Sequence, residues 1–454
     1  MMIDPLFAPD IAQLAALRGR RFAATLDRVF AAHPYYRRIF ANEGLVRADV
    51  RGLVDLARLP VTTKAEYVAE PEAFRLGAAG AADNSETIIW DVMYTTGSLG
   101  APTPFVSTTY DFVNILALNR NMLRLRGVTT SDTILNLFPL TRYPHGAFAR
   151  AMNAAAAMNI PVVAALPGHV NERRPEIGSR LDEVVAIAAR SRATILWGVP
   201  TFIRKMAARA EELGVGLPAV RLVFVTGEGF GEAARKDLTD RLQRLGAAAP
   251  FISVSYGATE MQGGMVECAV GTGNHNPAPD QFVFEAVDPQ TYAPVPDGEE
   301  GLILLTHLDR RGTVMLRYAL GDVARLTHAR CPRCGALTER LMGMPRRIDG
   351  LLKIKGMLVN PQALVDVVAA EADILEFQAT VAKESPSDPL SMDRLVLKIV
   401  PAAEAGADLA ERLQRSVHRA IGVTPAVEQT TADDPLISER GWKVKPILDL
   451  RKLD

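Results

Sequence analysis

Three cysteines in 454 residues are too few for a disulfide framework. No apolar run approaches the ~18–20 residues that span a bilayer. No charge of one sign dominates either: 51 Lys and Arg stand against 52 Asp and Glu. This balance argues against a nucleic-acid or membrane-surface role resting on bulk electrostatics. The opening residues, MMIDPLFAPD, are acidic and broken by prolines, unlike a secretory leader. A soluble, cytoplasmic enzyme is expected. A chain of this length exceeds one compact core, so two or more domains are expected. A Gly-Lys-Ser/Thr phosphate loop is also missing.

What is present is a dense stretch at 94–105, YTTGSLGAPTPF, with two glycines, four Ser/Thr hydroxyls and two prolines. Glycine amides and hydroxyls packed this closely suit the wrapping of phosphate oxygens, since they supply donors and keep Cβ atoms clear. A strand-like run, 87–93, precedes it. Residues 8–70 read as helical, with an aromatic patch at 33–40. From 110 to 250, β-rich runs at 133–138, 161–165, 193–197 and 221–226 alternate with helical stretches such as 200–213 and 231–245. That alternation predicts a largely parallel sheet covered by helices. The pattern turns strand-rich from 250 to 345. The fold class expected is α/β, a large amino-terminal domain (1–346) followed by a small, mobile α+β domain (347–454). In the latter, Asn360-Pro361 opens a helix, strands fall at 377–383 and 394–400, and a helix at 409–421.

All three cysteines fall in two clusters: Cys268-x6-His275, and Cys331-x2-Cys334 within the turn-rich HARCPRCGAL. Three thiolates and one imidazole form the ligand set of a closed structural Zn²⁺ site. His328 competes with His275 as the fourth ligand. A closed site leaves no coordination position for chemistry, so this metal is assigned to stability.

Five segments in order, YTTGSLGAPTP (94–104), VTGEG (225–229), SYGATEMQGGMVEC (255–268), LRYALGDVARL (316–326) and MPRRIDGLLKIKG (344–356), resemble the motif set of the adenylate-forming ligases. The likeness is to the phenylacetate–CoA ligase branch. LPVTTKAEY (59–67) and ERGWKVKPILDLR (439–451) extend it over nearly the whole chain. The resemblance implies ATP-dependent activation of an aromatic acid to an acyl-adenylate, then transfer to CoA, with Mg²⁺ as a further cofactor. It implies that Thr95, Thr96, Gly97, Ser98 and Gly100 cradle the β/γ-phosphates, although Leu99 and Ala101 replace the usual hydroxyl and lysine. By the same resemblance Gly227 and Glu228 line the adenine pocket, and Tyr256, followed by Gly257, lies against the base. Thr259 meets the α-phosphate and Glu260 holds Mg²⁺. Asp322 accepts the ribose hydroxyls, though Ala319 and Leu320 depart from the usual polar pair.

The likeness also places Arg347 near ribose and phosphates, and Asp349 at the hinge of the small domain. Lys443 becomes the catalytic lysine, with Lys445 as the alternative. Phe138, Tyr143, His145, Trp197, Phe230 and Met261 would form an aromatic-rich acyl slot. Expected partners are the small acid, ATP and CoA, with no nucleic acid and no membrane. A homodimer and a carrier-protein or amine acceptor are left open.

Overall fold

The structure, a computed structural model, describes residues 4–7, 11–76, 81–94, 103–140, 146–168, 178–227, 230–348, 352–354, 357–384, 393–438 and 446–451. The fold is mixed α/β. Contacts divide it into two compact units: residues 1–227 with 242–345, and residues 228–241 with 346–454. The boundary expected from the sequence, 346/347, leaves 228–241 within the first domain, whereas contacts group that segment with the second unit.

The first unit is built on an eleven-stranded sheet. Short strands at Ile134–Asn136, Val162–Ala164, Ile195–Gly198 and Leu222–Thr226 join Phe251–Ala258 in parallel register. The runs at 134–136, 195–198 and 222–225 are buried on both faces, while the edge strand Val162–Ala164 is half-buried, and helices Gly146–Met158, Leu181–Ser191 and Pro200–Glu212 alternate with them along the chain. The sheet changes polarity after Phe251–Ala258. Strand Gly263–Glu267 turns back antiparallel to it, and Asn274–His275, Arg340–Arg347, Tyr318–Thr327, Glu300–His307 and Phe282–Val287 follow in spatial order. The reversal needs close backbone approach: a Cβ on Gly264 would lie 2.8 Å from the Tyr256 carbonyl oxygen.

Helix Ile11–Ala32 buries Leu14, Phe22, Leu26 and Val29 along one stripe. Ion pairs Arg28–Glu86 (2.6 Å), Arg21–Asp280 (3.0 Å) and Arg18–Glu339 lie within and along one edge of the same stripe. A separate hairpin pairs Ile89–Tyr94 with Pro104–Thr108 and so flanks residues 95–102 in the chain. No helix among the described residues is long and apolar enough to cross a membrane.

In the second unit four strands run in the order Ala426–Gln429, Asp393–Pro401, Ile374–Lys383, Ile447–Asp449. Helix Leu409–Ile421 repeats apolar residues every fourth position, Leu409, Leu413, Val417 and Ile421, and lays them on the core formed by Ala379, Val381, Leu395 and Leu397. Gly422 ends it at φ 71°. Helix Pro361–Ala369 begins where Asn360 caps it by accepting from the Gln362 amide at 2.9 Å.

Candidate active site and metal centre

The polarity change in the sheet creates the site. Strand Phe251–Ala258 ends in a single 3₁₀ turn, Thr259–Met261, before the chain reverses at Gln262, whose φ is 58°. Tyr256 is half-buried near that strand's end, and its hydroxyl donates to Asp322 Oδ2 at 2.6 Å. Three strands separate the two residues in the sheet order. A flat sheet with four ~4.8 Å steps would hold these strands roughly 19 Å apart, so the antiparallel half must roll back towards Tyr256.

Side chains from elsewhere hold the turn. Gln262 donates from Nε2 to the Thr259 carbonyl at 2.8 Å, alongside its own backbone amide at 3.0 Å. The Glu260 carbonyl meets His307 Nε2 at 3.1 Å, while His307 Nδ1 accepts from the Met315 amide at 3.1 Å. Those partners fix the neutral tautomer with its proton on Nε2. Burial holds the His307 pKa well below the ordinary imidazole value, and the nearby Arg310 cation adds to the effect. Neither Gln262 nor His307 is singled out by the sequence reading. Gln262 lies inside the 255–268 segment that carries the resemblance, whereas His307 lies in none of the quoted segments.

Several predicted residues therefore come together: Tyr256, Gly257, Thr259 and Glu260 on one strand and turn, with Asp322 hydrogen-bonded to the first. Gly227, at φ 90°, ends the neighbouring strand Leu222–Thr226, and Thr226 Oγ1 donates to the Ser255 carbonyl at 3.3 Å. Phe138, Trp197 and Met261 are buried. Trp197 packs edge-on against Phe224 at 5.4 Å, with the Arg126 guanidinium 5.8 Å from its ring. Phe230, also buried, has the Arg235 guanidinium 5.9 Å from its ring. Arg347 is exposed at the end of its strand. Thr95, Thr96, Gly97, Ser98, Gly100, Tyr143, His145, Glu228, Asp349, Lys443 and Lys445 lie outside the described residues.

A second cluster gathers Cys268, His275, Cys331 and Cys334, with all four ligand atoms within 4.8 Å of one another. The Cys268 and Cys331 sulfurs are 3.7 Å apart, and Cys334 Sγ is 3.4 Å from His275 Nε2. Thiolates held ~2.3 Å from one tetrahedral ion lie roughly 3.8 Å apart, so the spacing fits. His275 Nδ1 is 3.1 Å from two acceptors, the Val266 and Gly273 carbonyls. It therefore carries the proton and leaves Nε2 free to ligate. No cysteine is in a disulfide. His328 is exposed and paired with Asp297 at 2.7 Å, so His275 is the histidine of the cluster.

A family model described as AMP-binding enzyme matches residues 46–318. A phenylacetate–coenzyme A ligase of Thermus thermophilus is 26% identical over 462 residues, covering 97% of each chain. The Escherichia coli enzyme of the same name is 26% identical and covers 86% of this chain and 84% of its own. Among solved structures, a 2-hydroxyisobutyryl-CoA ligase in its postadenylation state superposes with a TM-score of 0.79 at 21% identity, covering 99% of this chain and 92% of its own. That likeness is one of fold.

Proposed function

Because the chain belongs to the AMP-binding enzyme family, we propose that it activates a carboxylic acid with ATP and then transfers the acyl group to the thiol of CoA. In the first step a carboxylate oxygen attacks the α-phosphorus and pyrophosphate leaves. In the second the thiol sulfur attacks the acyl carbon, AMP leaves and the thiol proton is released. The acid is aryl or arylacetic. Relatives named phenylacetate–coenzyme A ligase that match along most of their length support this choice, as does the apolar, aromatic character of the buried residues Phe138, Trp197 and Met261.

The observation that carries the reading is the Tyr256–Asp322 hydrogen bond at 2.6 Å. It brings a base-stacking ring and a ribose-binding carboxylate together across a rolled sheet, directly before the Thr259–Met261 turn. Gly227, Glu228, Tyr256 and Gly257 take the adenine side. Thr95, Thr96, Gly97, Ser98 and Gly100 take the distal phosphates, and Thr259 the α-phosphate. Glu260 supplies a hard oxygen ligand for Mg²⁺, which neutralises phosphate charge. Lys443 adds a mobile positive charge, Arg347 lies near the ribose and phosphates, and Asp349 is the hinge of the small domain. Cys268, His275, Cys331 and Cys334 hold a structural Zn²⁺, whose contribution is to stability.

The test is acid-dependent exchange of labelled pyrophosphate into ATP across benzoic, phenylacetic and hydroxybenzoic acids, followed by mass analysis for the CoA ester. Exchange and ester with an aromatic acid are expected. Exchange without ester would move the acceptor to a carrier-protein thiol or an amine. No exchange with any acid would remove the activity.

A further inference from the structure

Helix Gly146–Met158, GAFARAMNAAAAM, carries one charged side chain, Arg150, and that side chain is only 4% exposed. Its Nη2 pairs with Asp91 Oδ2 at 2.9 Å and also donates to Gln262 Oε1. Gln262 in turn holds the Thr259 carbonyl. Asp91 sits on strand Ile89–Tyr94, which runs directly into residues 95–102. One nitrogen therefore links that strand to the turn bearing Thr259 and Glu260. From the other side, His307 holds the Glu260 carbonyl.

This arrangement is a poor choice for stability alone. Among the described residues, Arg150 Nε and Nη1 and Asp91 Oδ1 are buried without hydrogen-bond partners. An apolar side chain of similar volume avoids that cost. Burial lowers the guanidinium pKa, opposed by Asp91. The left-handed backbone at Gln262 would also suit glycine better, yet glycine lacks the amide that bridges Arg150 to Thr259.

We infer that Arg150 is a positioning residue for the adenylation step. Acting through Asp91 and Gln262, it sets the distance between the strand entering residues 95–102 and the Thr259–Met261 turn. The inference rests on the proposed nucleotide role of that turn. Arg150 is absent from every motif that carries the family resemblance.

Arg150→Met should slow pyrophosphate exchange about 100-fold, the scale expected when a reacting group is misplaced by about 1 Å. The KM for the acid should hardly move. Arg150→Lys should recover part of the rate, because an ammonium reaches Asp91 but lacks the planar fork. A synthetic acyl-adenylate supplied with CoA should still give ester within about twofold of wild type. Equal loss in both half-reactions would mark a purely structural role and overturn the proposal, as would undiminished exchange. If Arg150→Met fails to fold, the Asp91→Asn/Arg150→Gln double variant removes both charges and carries the same two expectations. If the wild-type chain exchanges with no acid, the proposed activity falls and amide hydrogen exchange decides this point separately. Faster exchange over 89–94 and 259–262 in the variant upholds the link; unchanged exchange overturns it.

Discussion

Tyr256 and Asp322 show how a single hydroxyl prepares a site. A hydrogen bond to a charged acceptor contributes about 1.5–3 kcal/mol, and here it also fixes which way the carboxylate faces. Tyr256→Phe keeps the ring for stacking and removes the orienting donor. Its affinity for AMP should fall about tenfold with the fold unchanged, as read by calorimetry and thermal unfolding. Equal affinity would show that Asp322 is oriented by other means. Both residues are legible in the sequence because each would touch the nucleotide and lies within a short, chemically dense motif. Gln262, His307 and Arg150 act through other residues, so their identities depend on where the chain folds back. For Arg150 the hint is a lone charge among small apolar residues in GAFARAMNAAAAM.

Strands and helices were readable wherever one face had to be buried. Helix Leu409–Ile421 carries its stripe in plain view, and the parallel runs before residue 250 are short and continuously apolar. The rolling of the sheet is not legible, since it depends on which strands become neighbours. The histidine of the metal cluster is decided in the same way. Strand pairing sets His275 opposite both Val266 and Arg340, which brings it to the Cys331–Cys334 knuckle and leaves His328 beside Asp297. Metal analysis should find about one Zn²⁺ per chain. Cys331→Ser should lose the ion and lower the unfolding temperature by roughly 5–10 °C, given ~2–4 °C for each kcal/mol in a domain of this size. A metal-free preparation with unchanged stability would remove the zinc.

Across the whole chain the division into two units is the dominant feature, and the proposed chemistry assigns each a separate duty. The first holds Tyr256, Thr259, Glu260 and Asp322; the second carries Glu228, Arg347 and the segment with Lys443. Lys443→Ala should reduce pyrophosphate exchange by about 10²–10³-fold, the scale of losing one preorganised charge partner. Thioester formation from a supplied adenylate should persist. Undiminished exchange would pass the role to Lys445 or end it.

The narrowest plank of the rolled sheet is the two-residue strand Asn274–His275, which lies between the strands of Tyr256 and Asp322. Three of its neighbours in the fold, Cys268, Cys331 and Cys334, clasp that plank through its own histidine. Whatever loosens that clasp should be felt first in the curl of the sheet, midway between the two strands that carry Tyr256 and Asp322.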